Sequence, residues 1–200
     1  MTDGAGAGPR RAAADGAILL HVCCGPCAVW PVEYLADQGW RVTGLWFNPN
    51  IHLAREYQLR LAAAEEFAGA AGLELRVVGE YGLEAWLERV GSLRDAGSAR
   101  CAACYEWRLA ETADYAARHG YDAFASTLLG SPYQDHGALV ETGRRLAATH
   151  GIRFFYADWR DGFRSGRAEA KRMGLYRQAY CGCLFSEAER YLSPAADKRR

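Results

Sequence analysis

Seven cysteines fall in three tight clusters: Cys23, Cys24 and Cys27; Cys101 and Cys104; Cys181 and Cys183. They spell C-C-x-x-C, C-x-x-C and C-x-C, with long stretches between them that hold no sulfur nucleophile. Thiolates are soft anionic ligands, and neighbours one or two residues apart can reach one metal centre. A structural zinc or a [4Fe–4S] cluster takes up to four thiolates, so neither alone accounts for the set. Two adjacent centres account for it better. Cys23 and Cys24, if extended, point to opposite sides of the chain, so one is expected to serve each centre. Gly182 between the last pair permits a tight turn around a metal. Two other chemistries use the same residues. Cys24-Gly25-Pro26-Cys27 spells the dithiol motif of thioredoxins, where a helix N-terminus activates a thiol for exchange. The paired C-x-x-C spacing is also that of a zinc-stabilised RNA-binding domain without redox activity.

The elements around these clusters alternate. Ala17–Val22, Val42–Phe47, Leu73–Val78, Tyr121–Leu129 and Ile152–Tyr156 read as strands, the first as a buried parallel one. Helical patterns cover 26–38, 53–71, 83–90, 104–119 and 134–150, with stops at Gly72, Gly120 and Gly151. Asp158–Leu192 reads as mostly helix, interrupted at the third cluster. About five alternations predict a single-domain α/β fold, a doubly wound and mostly parallel sheet with the cysteine clusters at one end. Residues 1–16 read as a disordered tail, 17–192 as one catalytic domain and 193–200 as a basic tail.

Net charge is formally zero, which excludes a global pull towards nucleic acid or anionic lipid. From Arg144 onward, however, thirteen Lys or Arg stand against six Asp or Glu. Nearly all are arginine, suited to forked contacts with phosphate, although a coding bias towards Arg, Ala and Gly leaves the same surplus. No secretory signal and no apolar run of membrane-spanning length is evident, so a reducing cytoplasmic setting is expected, with no membrane partner.

Five segments together carry a resemblance: L-L-H-V-C-C-G-P-C; F-N-P-N-I-H with E-Y and Arg60 following; R-C-A-A-C-Y-E-W-R-L; T-L-L-G-S-P-Y-Q-D-H; and Y-R-Q-A-Y-C-G-C-L-F-S. In this order, from about Leu19 to Ser186, they resemble the cobalamin-independent epoxyqueuosine reductases of the QueH type. Ala is more usual than Gly25 and Ser more usual than Ala28 in that pattern. The resemblance implies a fold like that of the adenine-nucleotide α-hydrolases. It implies reduction of epoxyqueuosine to queuosine at the tRNA wobble position, by a [4Fe–4S] cluster beside a mononuclear iron or zinc. The seven cysteines are then ligands, their allocation open. No S-G-G-x-D-S pyrophosphate loop is present, so ATP chemistry is not expected. No cobalamin, flavin or nicotinamide motif is seen, and electrons are expected from an external donor.

Removing an epoxide oxygen as water consumes two electrons and two protons. Candidate proton donors are His52, His136 and Asp158, with Asp135 in the same class of motif loop. His21, two residues before Cys23, is either an acid or a buried supporting side chain. Tyr133 and Tyr180 are candidates to stack on the modified base, while Asn48 and Asn50 shape a turn or recognise substrate. Arg160, Arg164, Arg167, Lys171, Arg172 and Arg177 are the candidate tRNA contacts, at roughly helical spacing.

Overall fold

In the computed structural model, which describes residues 16–192, five strands form one parallel sheet. The expected N-terminal tail lies outside the described residues except for Gly16, and the expected tail at 193–200 lies outside them entirely. The strands are β1 (Ala17–His21), β2 (Arg41–Trp46), β3 (Glu74–Val77), β4 (Ala123–Ser126) and β5 (Arg153–Phe154), in the order β3-β2-β1-β4-β5. Every pairing is parallel, with Leu19 opposite Thr43 on one side and Phe124 on the other. The apolar run Ile18-Leu19-Leu20 is central for a physical reason: it is wholly buried, as a strand covered on both faces must be.

The helices are α1 (Gly25–Asp37), α2 (Ala54–Ala71), α3 (Leu83–Val90), α4 (Gly97–Arg118), α5 (His136–His150), α6 (Phe163–Arg172) and α7 (Leu184–Tyr191). α1 packs on α2 and α6, and α4 packs on α5. Right-handed crossovers place these groups on opposite faces of the sheet. The winding reverses between β1 and β4, and the crevice beyond their carboxyl ends is where such folds assemble a site. At Gly25 the α1–α2 contact is so close that a Cβ would stand 2.2 Å from the Ala63 carbonyl oxygen. This explains glycine where the family resemblance favours alanine.

Four sequence expectations are revised. The strand expected over 121–129 pairs only through Ala123–Ser126, because the Ser126 hydroxyl accepts from the Leu128 amide and turns the chain into a 3₁₀ segment, Thr127–Gly130. The last strand shrinks to two residues. The helix expected from Cys104 begins earlier, at Gly97, so both cysteines of the second cluster ride on α4. Between α6 and α7 the chain is irregular over 173–183, longer than the interruption expected.

Candidate metal centre

The chain leaves β1 at His21, bends at Cys23 and enters α1 with Cys24 as its N-cap and Pro26 in the first turn. That bend overturns the expectation that Cys23 and Cys24 face opposite ways. Their sulfurs are 3.9 Å apart, and the sulfurs of Cys23, Cys24 and Cys27 all lie within 4.8 Å of one another. Period-two alternation requires a continuing strand, and here the strand has already ended. The Cys24 sulfur also accepts from the Cys27 amide at 3.3 Å. β4 and β2 fix the bend from either side. The Cys23 amide donates to the Thr127 hydroxyl at 3.0 Å, and Asn48 donates to the Val22 carbonyl at 2.9 Å.

The three thiols of this triad are held differently. Hydrogen bonds from Cys24 and Cys27, aided by Arg108 and Thr127, hold the Cys23 thiol well below its ordinary range. Burial pushes Cys24 up, and hydrogen bonding with its two neighbours pushes Cys27 up.

Among the described residues only that triad has its sulfurs within 4.8 Å of one another, and the other four thiols lie on α4 and just before α7. Cys104 and Cys183 share a small apolar cluster with Trp86 and Val90. Burial raises Cys101 and pushes Cys104 up to about 12, with the charges of Cys181 and Cys183 adding to both. Cys183 caps α7 as Cys24 caps α1, its sulfur accepting from the Ser186 amide at 3.4 Å. Arg100, next to Cys101, clamps α7 to α4 through Glu189 at 2.6 Å. Arg60 reaches the same turn from α2, donating to the carbonyls of Cys181 at 2.9 Å and Tyr180 at 3.1 Å. The His52 amide donates to the Gly182 carbonyl at 2.8 Å, and Gly182 itself sits at φ +134°, closed to ordinary side chains.

Side chains the sequence did not single out complete the surroundings. Gln178 donates to Cys24 at 2.9 Å and Cys27 at 3.5 Å, and Gln134 donates to Cys181 at 3.6 Å. Arg108 reaches Cys104, His21 and Asn48. Its one available signal was position, a helical turn after Cys104. The donor set fits metal binding on a second count. The amide of Asn50 is buried with neither atom partnered, and its nitrogen lies 3.2 Å from where a Cβ on Gly182 would stand. The buried Gln178 oxygen is also partnerless. Buried amides are ordinarily satisfied, so these point to groups that bind there.

The candidate proton donors are dispersed. His52 is buried, its Nε2 3.1 Å from the Pro49 carbonyl, and burial lowers its pKa to about 4. Asp158 bonds Arg160 at 2.8 Å and is held at about 2, so it is a carboxylate at neutral pH. His136 lies beside it with Nε2 3.2 Å from the Tyr156 hydroxyl. Asp135 caps α5. His21 bonds Ser126 at 2.9 Å, and burial, then Arg108, lower its pKa to about 3.

Tyr180 is half-buried: its hydroxyl donates to the His52 carbonyl at 2.6 Å, and Arg60 lies over its ring. Tyr133 is 80% exposed and meets Phe163 edge to face. A small pocket of about 20 Å³ between α1 and α6, with room for about one water, is lined by Cys27, Trp30, Thr127, Trp159 and Phe163 among others. On α6, Arg164, Arg167 and Lys171 share a stripe by helical spacing. Arg160 and Arg172 are instead paired with Asp158 and Glu169, while Arg177 is exposed in the irregular segment.

A family model described as "Epoxyqueuosine reductase QueH" matches residues 18–189. The chain is similar to proteins of that name from Dehalococcoides mccartyi (41% identical over 177 residues, 88% of this chain and 96% of the relative) and Thermotoga maritima (34% over 182 residues, 88% and 92%). Its fold is similar to the crystal structure of a "predicted subunit of tRNA methyltransferase" from Methanocaldococcus jannaschii. That likeness has a TM-score of 0.55 at 15% identity, over 78% of this chain and 74% of the other, and concerns the fold alone.

Proposed function

The chain belongs to the QueH family of epoxyqueuosine reductases, and from that premise we propose that it reduces the epoxide of epoxyqueuosine in tRNA to the cyclopentene of queuosine. It is an oxidoreductase; an epoxide plus two electrons and two protons gives an alkene and water. The observation that carries the proposal is the preassembled triad of Cys23, Cys24 and Cys27, with a second set of thiols in which Cys104 and Cys183 share one apolar cluster.

Four thiolates match a [4Fe–4S] cluster, and three leave a position open on a single ion, as catalytic metal sites do. Cys101, Cys104, Cys181 and Cys183 would hold the cluster, and Cys23, Cys24 and Cys27 a mononuclear iron or zinc. When bound, these groups supply single-electron transfer and Lewis acidity. The protein's own side chains do the rest. Gln178 orients the triad by its bonds to Cys24 and Cys27. Tyr133, 80% exposed and set edge to face on Phe163, would stack on an unstacked anticodon base. Arg164, Arg167 and Lys171 would follow the phosphates. His136 is the donor we retain, because Asp158 is held ionised and His52 is enclosed.

Electrons come from an external donor. The catalytic unit is one domain, 17–192, and clustered unbridged cysteines suit the cytoplasm. No helix of the described residues is long and apolar enough to cross a membrane.

The test is iron, zinc and acid-labile sulfide per chain on anaerobically purified protein, followed by turnover of epoxyqueuosine-containing tRNA with dithionite. About four sulfides with four or five metals are expected for a loaded [4Fe–4S] site and its neighbour. Zinc without sulfide after iron–sulfur reconstitution would overturn the cofactor assignment and favour the zinc-stabilised RNA-binding domain. For the stripe, replacing Arg164, Arg167 and Lys171 with Ala should flatten the salt dependence of tRNA affinity by about 0.7 per lost single-strand phosphate contact.

A further inference from the structure

Among the described residues three arginines are buried to 4% exposure or less: Arg60, Arg100 and Arg108. Arg60 pairs with Glu56 at 2.7 Å and Arg100 with Glu189 at 2.6 Å. Arg108 pairs with no carboxylate among the described residues. Its NH2 nitrogen donates to the Asn48 side-chain oxygen at 2.8 Å, its Nε approaches the His21 ring at 3.4 Å, and its NH1 nitrogen lies 3.8 Å from the Cys104 sulfur. His21 is kept neutral and Asn48 has no charge, so neither balances a guanidinium. A buried cation without a counter-charge is strongly disfavoured, because burial strips its water and nothing replaces it. Among the described residues the groups the fold sets against it are sulfurs, which carry charge as thiolates once a centre is loaded. Cys104 and Cys181 from the four-thiol group and Cys23 from the triad all act on its charge.

Arg108 therefore touches one thiol group through Cys104, and it reaches the support of the other through His21, two residues before Cys23, and through Asn48, which holds the Val22 carbonyl. Four thiolates outweigh the charge of a [4Fe–4S] core, and three outweigh that of a divalent ion, so both loaded centres are net anionic. We propose that Arg108 is the fixed counter-cation shared by the two centres, a positioning residue that favours the loaded protein and raises the reduction potential of the cluster. This rests on the cofactor assignment proposed above. Reduction adds one electron to the cluster and breaks no bond, so the added negative charge is felt directly by a neighbouring cation. Net charge and hydrogen bonds to sulfur are among the factors that set such potentials.

The experiment uses full-length, anaerobically loaded protein as wild type, Arg108→Lys and Arg108→Met. Iron and sulfide are measured first, and then the cluster is titrated with dithionite under EPR. Arg108→Met, fully loaded, should show at least a tenfold lower reduced-to-oxidised ratio at the wild-type midpoint, about 59 mV more negative for one electron. Arg108→Lys, which keeps the charge and loses the fork, should recover most of it. A loaded Arg108→Met with the wild-type midpoint would overturn the inference.

Melting temperature with and without metal provides a second readout. The Met variant should melt no lower than wild type when metal-free and gain less on loading. If it fails to load and its metal-free form melts well below wild type, Arg108 is a packing residue and the proposal is wrong. Wild type without iron or sulfide would instead remove the cluster assignment, leaving the same melting comparison with zinc to judge Arg108.

Discussion

Cys23, Cys24 and Cys27 are brought together by five residues of chain, a strand end running into a helix start. Cys104 and Cys181 are 77 positions apart, and their group needs α4, the irregular segment, α7 and the 48–53 loop all in place. Both groups set a cysteine as the N-cap of a helix, Cys24 on α1 and Cys183 on α7. What differs is the support. The triad is held by sheet neighbours, through Thr127 and Asn48. The four-thiol group is held by charged side chains reaching across helices, Arg60 and Arg100. A local turn on a buried sheet is expected to survive perturbations that scatter a group assembled over long range.

The most severe way to break that contrast is to remove a thiol from each group. Cys24→Ala and Cys104→Ala should each cost more turnover than the about 10–100-fold typical of losing a supporting partner. Their signatures should differ: Cys24→Ala keeps sulfide and the brown chromophore and loses one metal, whereas Cys104→Ala loses both sulfide and colour. Loss of the same centre in both variants would merge the two groups into one. Arg60→Met comes next. It leaves Glu56, with only Tyr176 as partner, and the carbonyls at 180 and 181 unsupported, so about 3–5 kcal/mol of stability should go. Denaturant unfolding measures the loss. Metal analysis should show the four-thiol centre depleted while the triad still binds.

The same contrast decides what the sequence made legible. The alternation of apolar runs and helical periods placed the parallel α/β sheet, and the spacing of the cysteines marked the site, because both are local patterns. Long-range assembly was not legible. Arg108 and Gln178 lie inside the resemblance segments but received no role there, since burial of a polar side chain depends on what packs over it. Gly97 and Ser98 read as loop, because tertiary contacts from Arg100 and α7 extend α4 beyond its intrinsic preference. The vicinal cysteines were misread for the opposite reason: an extended geometry was assumed one residue too far. The basic residues of 160–177 looked like one stretch, yet two of them are tied to acids on their own segment.

Two milder changes sharpen the comparison from either side. Gly25→Ala forces a methyl against the Ala63 carbonyl, and overpacking of this kind costs about 1–3 kcal/mol. It should loosen the triad's metal and leave the four-thiol centre intact; an unchanged unfolding midpoint would mean that α1 and α2 can part freely. The smallest effect is conditional on pH and falls on the other group. Burial depresses the His52 pKa from 6.5 to about 4 in the folded chain. The unfolded chain therefore takes up the proton first as pH falls, and stability that is complete above 6.5 is lost progressively towards 4. In metal-free protein, wild type should lose on the order of 2 kcal/mol more than His52→Asn between pH 7.5 and pH 5. Nothing should separate the pH slopes of the two above pH 7. Because the His52 amide holds the Gly182 carbonyl, Cys181 should become easier to alkylate at pH 5 in wild type than in the variant, with Cys23 unaffected. Equal pH slopes in the two proteins would show that the loop tolerates a charged imidazole, and that the four-thiol group is better supported than its long-range assembly suggests.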